Sequence, residues 1–204
     1  TGREEIRPGR MEPGREERRM DIRTLIKEEV LAQKAYGVEN AAFPVKLDAN
    51  ENPLAMPEEL RGRFSAMLSS IPLNRYPEPG SPALAARFAK AFGVGRDQVM
   101  IGSGSDELIQ ILCTAVARPG AEVLIPVPTF AMYRITSQNA GLTVAAVPLD
   151  GMFDLDLAAM RERIAAHPPA LTFLAWPNNP TGNCFSRERV EAILREWPGI
   201  VVVD

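Results

Sequence analysis

From residue 99 onward, short apolar runs alternate with amphipathic stretches long enough for three or four helical turns, and this alternation restricts the possible folds more than any other feature. VMIG at 99–102, EVLIP at 122–126, LTVAAV at 142–147, ALTFLA at 170–175 and IVVV at 200–203 read as strands. Between them, SDELIQILCTAVA (105–117), TFAMYRITSQNA (129–140), LDLAAMRERIAA (155–166) and SRERVEAILREW (186–197) carry helical spacing. Strands that alternate with helices predict an α/β fold, three αβα layers around a mainly parallel sheet. Runs such as LTFLA and IVVV, apolar throughout, are expected to be buried on both faces.

The preceding residues follow a different pattern. The first twenty, TGREEIRPGRMEPGREERRM, are charged, proline- and glycine-bearing and almost without apolar residues, so residues 1–20 are expected to be a disordered leader. From Asp21 to about Tyr36, Ile22, Leu25, Ile26 and Val30 fall near helical spacing, and Gly37 would stop the turn. One amphipathic helix is expected there, followed by an irregular arm, so that residues 21–56 form an N-terminal helix and arm and 57–204 the first part of a larger domain. That domain would open with a helix from about Pro57 to Ser70, the loop NRYPEPGS, and a helix capped by Ser81 with Pro82 in its first position.

Composition narrows the function. With 46% hydrophobic and 24% charged residues the chain matches ordinary globular proteins, and its net charge of −3 lacks the basic excess that nucleic-acid phosphates require. No stretch has the roughly 18 apolar residues of a membrane helix, and the charged start lacks a signal-peptide core, so the expected location is the cytoplasm. Cys113 and Cys184 suit neither a disulfide framework nor a metal site, and Cys184 is expected to be a small buried thiol. His167 is expected to cap the end of its helix, and Trp176 and Trp197 to pack.

In open α/β sheets, ligands collect outside the carboxyl ends of the strands. Four polar clusters belong at that edge: GSGSDE (102–107), PVPTFAMY after EVLI, WPNNPTG after LTFLA, and Asp204 after IVVV. GSGSDE would open a helix with free N–H groups and hydroxyls, an anion site, although Ser103 or Ser105 could equally well be a simple cap. It lacks the lysine of a P-loop and the third glycine of a dinucleotide fingerprint. Asp204 requires a partner if it is buried. Asp at a strand end is also an ordinary helix cap. Against a cationic ligand atom about 3 Å away, a carboxylate is worth about 5–6 kcal/mol before desolvation, at an effective dielectric near 20. In PNNPTG two amides stand between prolines, a stiff loop able to aim Asn178 or Asn179 at one target.

In unbroken order, LDANENP (47–53), NRYPEPGS (74–81), GSGSDE, PTFAMYR (128–134), PNNPTG (177–182) and the closing IVVVD resemble motifs of the pyridoxal-phosphate-dependent aminotransferases, class I/II and fold type I. Within that superfamily the chain most resembles the histidinol-phosphate branch, chiefly through LDANENP and NRYPEPG. Threonine-phosphate decarboxylases and aromatic or alanine-type aminotransferases carry similar motifs. A non-catalytic dimerisation module on the same scaffold is the alternative from another class.

The resemblance implies pyridoxal 5′-phosphate as cofactor, with Ser105 and Asp106 holding its phosphate and Phe130 stacking on its ring. It also implies that Asn179 bonds the ring hydroxyl oxygen and that Asp204 pairs with the pyridine nitrogen. Tyr76 is similar to the tyrosine that reaches the neighbouring subunit's cofactor, which implies a homodimer, and Asn50 lies in a substrate-contacting segment. The substrates implied are small amino-acid-like phosphate esters and 2-oxo acids, with an amino group moving between L-histidinol phosphate and 2-oxoglutarate. The family's Schiff-base lysine follows the aspartate by some distance, and Lys27, Lys34, Lys46 and Lys90 match no such motif. The chain is therefore expected to be an N-terminal portion, unable to transaminate alone and, with a strand edge exposed, poorly soluble.

Overall fold

The computed structural model describes residues 21–33, 45 and 51–204. The chain divides into two compact units, Thr1–Gln33 and Lys34–Asp204. The expected leader and Asn50 lie outside the described residues. In the first unit the single helix expected from Asp21 is instead two short pieces, a 3-10 turn at Ile22–Leu25 and the helix α1 at Glu28–Leu31. The Asp21 carboxylate accepts from the Arg23 amide and favours a turn, and Ile26 is extended. None of these residues is buried, so no packed face compensates the cost of nucleating a longer helix.

In the second unit, α2 spans Glu58–Ser69 and α3 spans Pro82–Phe92. Pro82 takes the first helical position as expected, but Ser81 has a left-handed backbone and its side chain makes no capping bond. The helix α4 runs Ser105–Val116, then β1 Glu122–Val127, α5 Ala131–Asn139, β2 Thr143–Pro148, α6 Leu157–Ala166, β3 Leu171–Leu174, α7 Arg187–Glu196 and β4 Ile200–Val203. All strand pairs are parallel, in the order β2-β1-β3-β4. His167 stands at the end of α6 as its cap, its N–H donating to the Arg163 carbonyl.

Strand alternation distributes the side chains between two cores. On one face Val123, Ile125, Leu171 and Phe173 pack with Ile109 and Cys113 of α4 and Tyr133 of α5. On the other, Leu124, Val147 and Leu174 meet Met160 of α6 and Val190 and Ile193 of α7, closed by Trp197 and, half-buried, Trp176. Helices on both faces of a parallel sheet give the three-layer α/β arrangement expected from the sequence.

Two strand expectations need correction. VMIG is not a strand among the described residues: Met100 is exposed, and a strand exists only through a hydrogen-bonded neighbour, which this segment lacks. IVVV is a strand, but it forms an edge of the described sheet, with Ile200 and Val203 exposed rather than buried on both faces. Among the described residues it pairs with β3 alone.

Connectivity sets the place of a site. The chain leaves β1 for α5 on one face and leaves β3 for α7 on the opposite face, although β1 and β3 are neighbours. Loops diverging from adjacent strands open a crevice at their carboxyl ends, the switch point where α/β sheets bind ligands.

Candidate functional site

The switch-point crevice is bounded by Pro128–Phe130 after β1 and by Trp176–Asn183 after β3. Asn178 joins the two. It is 1% exposed, and its Nδ2 donates to the Pro128 carbonyl at 3.0 Å and to the Thr181 hydroxyl at 2.8 Å, while its Oδ1 accepts from the Thr129 hydroxyl at 3.2 Å. Its backbone closes the loop, N–H to the Asn183 carbonyl at 2.8 Å and C=O from the Gly182 amide at 2.7 Å. A buried amide with its side-chain groups satisfied is a structural strut.

On the other side, Asn183 Nδ2 donates to the Phe153 carbonyl at 2.9 Å, which ties the same loop to the connection between β2 and α6. That connection is held in turn by Arg189, which donates to Asp150 Oδ2 at 2.6 Å and to the Leu155 carbonyl at 2.7 Å. The Arg189 bond, followed by the amides of Asp154 and Met152, holds the Asp150 carboxyl down at about 2. Asp154 accepts from the Ser186 hydroxyl at 2.6 Å; burial raises its carboxyl, but bonds from Ser186 and Leu155 and the Arg189 charge outweigh it, and the net direction is down. Stitched on both sides, the loop leaves Asn179 exposed at its tip. Pro177 and Pro180 both follow cis peptide bonds, as does Pro128. Of the two amides, Asn178 holds the loop and Asn179 is presented.

Asp204 lies one residue beyond β4, and its backbone extends the ladder, donating to the Leu174 carbonyl at 2.9 Å and accepting from the Trp176 amide at 2.7 Å. Its side chain, exposed and not buried as a strand end would be, is paired with Tyr133, whose hydroxyl donates to Asp204 Oδ2 at 2.6 Å. Tyr133 is fully buried and stacks on Phe173, centroids 4.6 Å apart and planes within 2°. Phe130 meets Tyr133 edge-on, at 5.5 Å and 87°. Burial, then the bond to Asp204 and its charge, push the Tyr133 phenol far up, so it remains a donor. Thus Phe130, half-buried, and Asp204, exposed, are linked through one tyrosine that the sequence motif contains but that received no role there. Its spacing of three from Phe130, one turn along α5, was the available signal.

At the start of α4 both glycines have a physical reason. Gly104 is the N-cap with φ +83°, a backbone that side chains disfavour, and at Gly102 a Cβ would lie 2.9 Å from Leu108 Cδ2. Neither expected cap acts: Gly104 has no side chain to offer, and Ser105 is the first helical residue. The Ser103 amide is bonded by the Glu107 carboxylate. The first-turn amides of Ser105 and Asp106, both exposed, therefore receive no side-chain cap and suit an anion. A groove of about 500 Å³ with a mixed lining between α4 and α5 begins at Ser103 and Asp106 and continues past Met132 and Thr136. It lies between helices, not across the strand ends.

Two further residues stand apart. Tyr76 is fully exposed in the loop before α3. Cys184, expected to be buried, is exposed, because the chain between Asn183 and Phe185 turns its thiol outward while Phe185 fills the core. Among the described residues there is no cluster of potential metal ligands, and no helix long and apolar enough to cross a membrane.

The chain's relationships agree with this geometry. Residues 44–204 match the family model described as aminotransferase class I and II. Histidinol-phosphate aminotransferase 2 of Cupriavidus pinatubonensis is 46% identical over 189 residues, covering 90% of this chain and 52% of that protein. The histidinol-phosphate aminotransferase of Thiocapsa roseopersicina is 42% identical over 185 residues, covering 90% and 98%. Apart from the Thiocapsa protein, the chain spans about half the length of the curated relatives it matches. In fold, it superposes with a TM-score of 0.75 on histidinol-phosphate aminotransferase from Sinorhizobium meliloti, solved in complex with pyridoxal 5′-phosphate, at 20% identity over 88% of this chain and 50% of that one.

Proposed function

The chain belongs to the class I and II aminotransferases, and from that premise we propose that it forms part of the pyridoxal 5′-phosphate cradle of a histidinol-phosphate aminotransferase. The activity proposed is exchange of an amino group between L-histidinol phosphate and 2-oxoglutarate in the cytoplasm. The observation that carries it is the Tyr133-held carboxylate of Asp204, with Phe130 edge-on to the same tyrosine and Asn179 presented by the loop after β3.

The residues present fit the group. A carboxylate with one oxygen already bonded keeps the other for a ring nitrogen, and the uncapped start of α4 suits a phosphate. When bound, the cofactor supplies an electron-accepting ring. Asp204 would hold a proton on the pyridine nitrogen, and Phe130 would supply a stacking face, which needs no hydroxyl. Asn179, on a loop stiffened by Asn178 and Asn183, donates to the ring hydroxyl oxygen. The amides of Ser105 and Asp106, with the Ser105 hydroxyl, bind the phosphate. Tyr76 would extend to the phosphate site of a second copy in a homodimer, and Asn50, outside the described residues, would contact substrate. The histidinol-phosphate names of relatives at 42% and 46% identity favour this branch over its neighbours.

The test is amino transfer by the full-length gene product, with L-histidinol phosphate as donor and 2-oxoglutarate as acceptor. Production of glutamate dependent on added pyridoxal 5′-phosphate is expected. Carbon dioxide release from threonine phosphate, or transfer from aromatic amino acids or alanine alone, would move the protein to a neighbouring branch.

A further inference from the structure

Phe130, Tyr133 and Asp204 are coupled at the sheet's carboxyl edge, and the coupling bears on how firmly Asp204 is held for the cofactor. Tyr133 has no rotational freedom to spare: its ring lies between Phe173, stacked, and Phe130, edge-on, and none of it reaches solvent. Asp204 has a fixed backbone, bonded to Leu174 and Trp176, but an exposed side chain on a short tether. A carboxylate at such a position would sample several rotamers if left to water. The contact between the two spans 71 positions of sequence and crosses from α5 to the end of β4. A phenol donating to a carboxylate at 2.6 Å is in the range of charge-assisted bonds, roughly twice as strong as neutral ones.

Resting on the aminotransferase reading, we propose that Tyr133 is a positioning residue for Asp204: its hydroxyl occupies Oδ2, fixes the carboxylate's rotamer and reserves Oδ1 for the ring nitrogen of pyridoxal 5′-phosphate. Because Phe130 packs on the same tyrosine, the ring-stacking wall and the nitrogen partner form one unit. The merely structural alternative is that Asp204 only satisfies a buried phenol. In that case the tyrosine would affect the fold but not the strength with which Asp204 binds the cofactor.

A double-mutant cycle on the full-length gene product separates these roles. The dissociation constant of pyridoxal 5′-phosphate from the apo-protein is measured by absorbance titration for the wild type, Tyr133→Phe, Asp204→Ala and the double variant. Tyr133→Phe keeps the stacked ring and removes only the donor, and it is expected to weaken binding roughly 10-fold, the scale of a hydrogen bond to a charged group. In the Asp204→Ala background the same change is expected to alter binding less than about twofold, since no carboxylate remains to position. Unfolding midpoints in urea, read alongside, show how much each change costs the fold. An unchanged constant in Tyr133→Phe, or an equal loss in both backgrounds, overturns the positioning role while leaving cofactor binding intact. A wild type that binds no pyridoxal 5′-phosphate overturns the underlying reading, and the positioning role with it.

Discussion

Asn178 Nδ2 donates to the Pro128 carbonyl at 3.0 Å, and this contact ties the loop after β3 to the loop after β1 across the crevice where the two diverge. The neighbouring Asn179 is exposed. The two amides therefore have separable roles, one in holding the loop and one in meeting a ligand.

Asn178→Ala leaves the Pro128 carbonyl and the Thr129 and Thr181 hydroxyls without that partner. Urea denaturation is expected to show a loss of about 1–3 kcal/mol, the cost of losing three part-buried hydrogen bonds. Asn179→Ala is expected to change stability by no more than about 0.5 kcal/mol while weakening pyridoxal 5′-phosphate binding. The reverse pattern would show that the roles have been exchanged.

Gly104 sits at φ +83° as the cap of α4, with open space where a Cβ would go. Gly104→Ala is therefore expected to cost about 1–3 kcal/mol through backbone strain and not through a clash. It should also reduce phosphate affinity by displacing the Ser105 and Asp106 amides. Thermal unfolding and a phosphate competition titration check both.

Much of this arrangement was legible in the sequence. The alternation after residue 99 indicated five strands, four of which form the parallel sheet, because their apolar runs are distinct from the helical spacing between them. VMIG carried the same apolar signal, but strand formation depends on a neighbour that a local pattern does not specify. The helix expected from Asp21 had apolar spacing without a core to bury it against. In the site, the loop prolines marked PNNPTG, but two adjacent amides look alike until one is buried. Tyr133 was given no role, because its partner lies 71 positions away.

Arg189 holds Asp150, whose carboxyl lies at about 2 against an ordinary 3.8. A depressed carboxyl stabilises the fold fully above its unfolded value, and that contribution is lost as pH falls from about 4 toward 2. Arg189→Ala is expected to melt below the wild type at neutral pH, with the gap narrowing as pH falls from about 4 toward 2 to a remainder set by the lost bond to the Leu155 carbonyl. Melting curves across pH 2–7 test this, and a gap independent of pH would exclude the ion pair as its source.

Phe130→Ala removes the stacking face and the edge contact to Tyr133 together. Weaker cofactor binding by about 0.5–1.5 kcal/mol is expected, whereas Phe130→Tyr, which keeps the ring, should bind within about twofold of the wild type. Equilibrium titration separates the two.

The most direct measurement is a crystal structure of the full-length gene product with pyridoxal 5′-phosphate. The predicted result is one cofactor molecule with its pyridine nitrogen within hydrogen-bonding distance of Asp204 Oδ1, Tyr133 still on Oδ2, Phe130 against the ring and the phosphate at the Ser105 and Asp106 amides. A cofactor bound away from the β1–β3 crevice, or a pyridine nitrogen facing any group other than Asp204, would contradict the account.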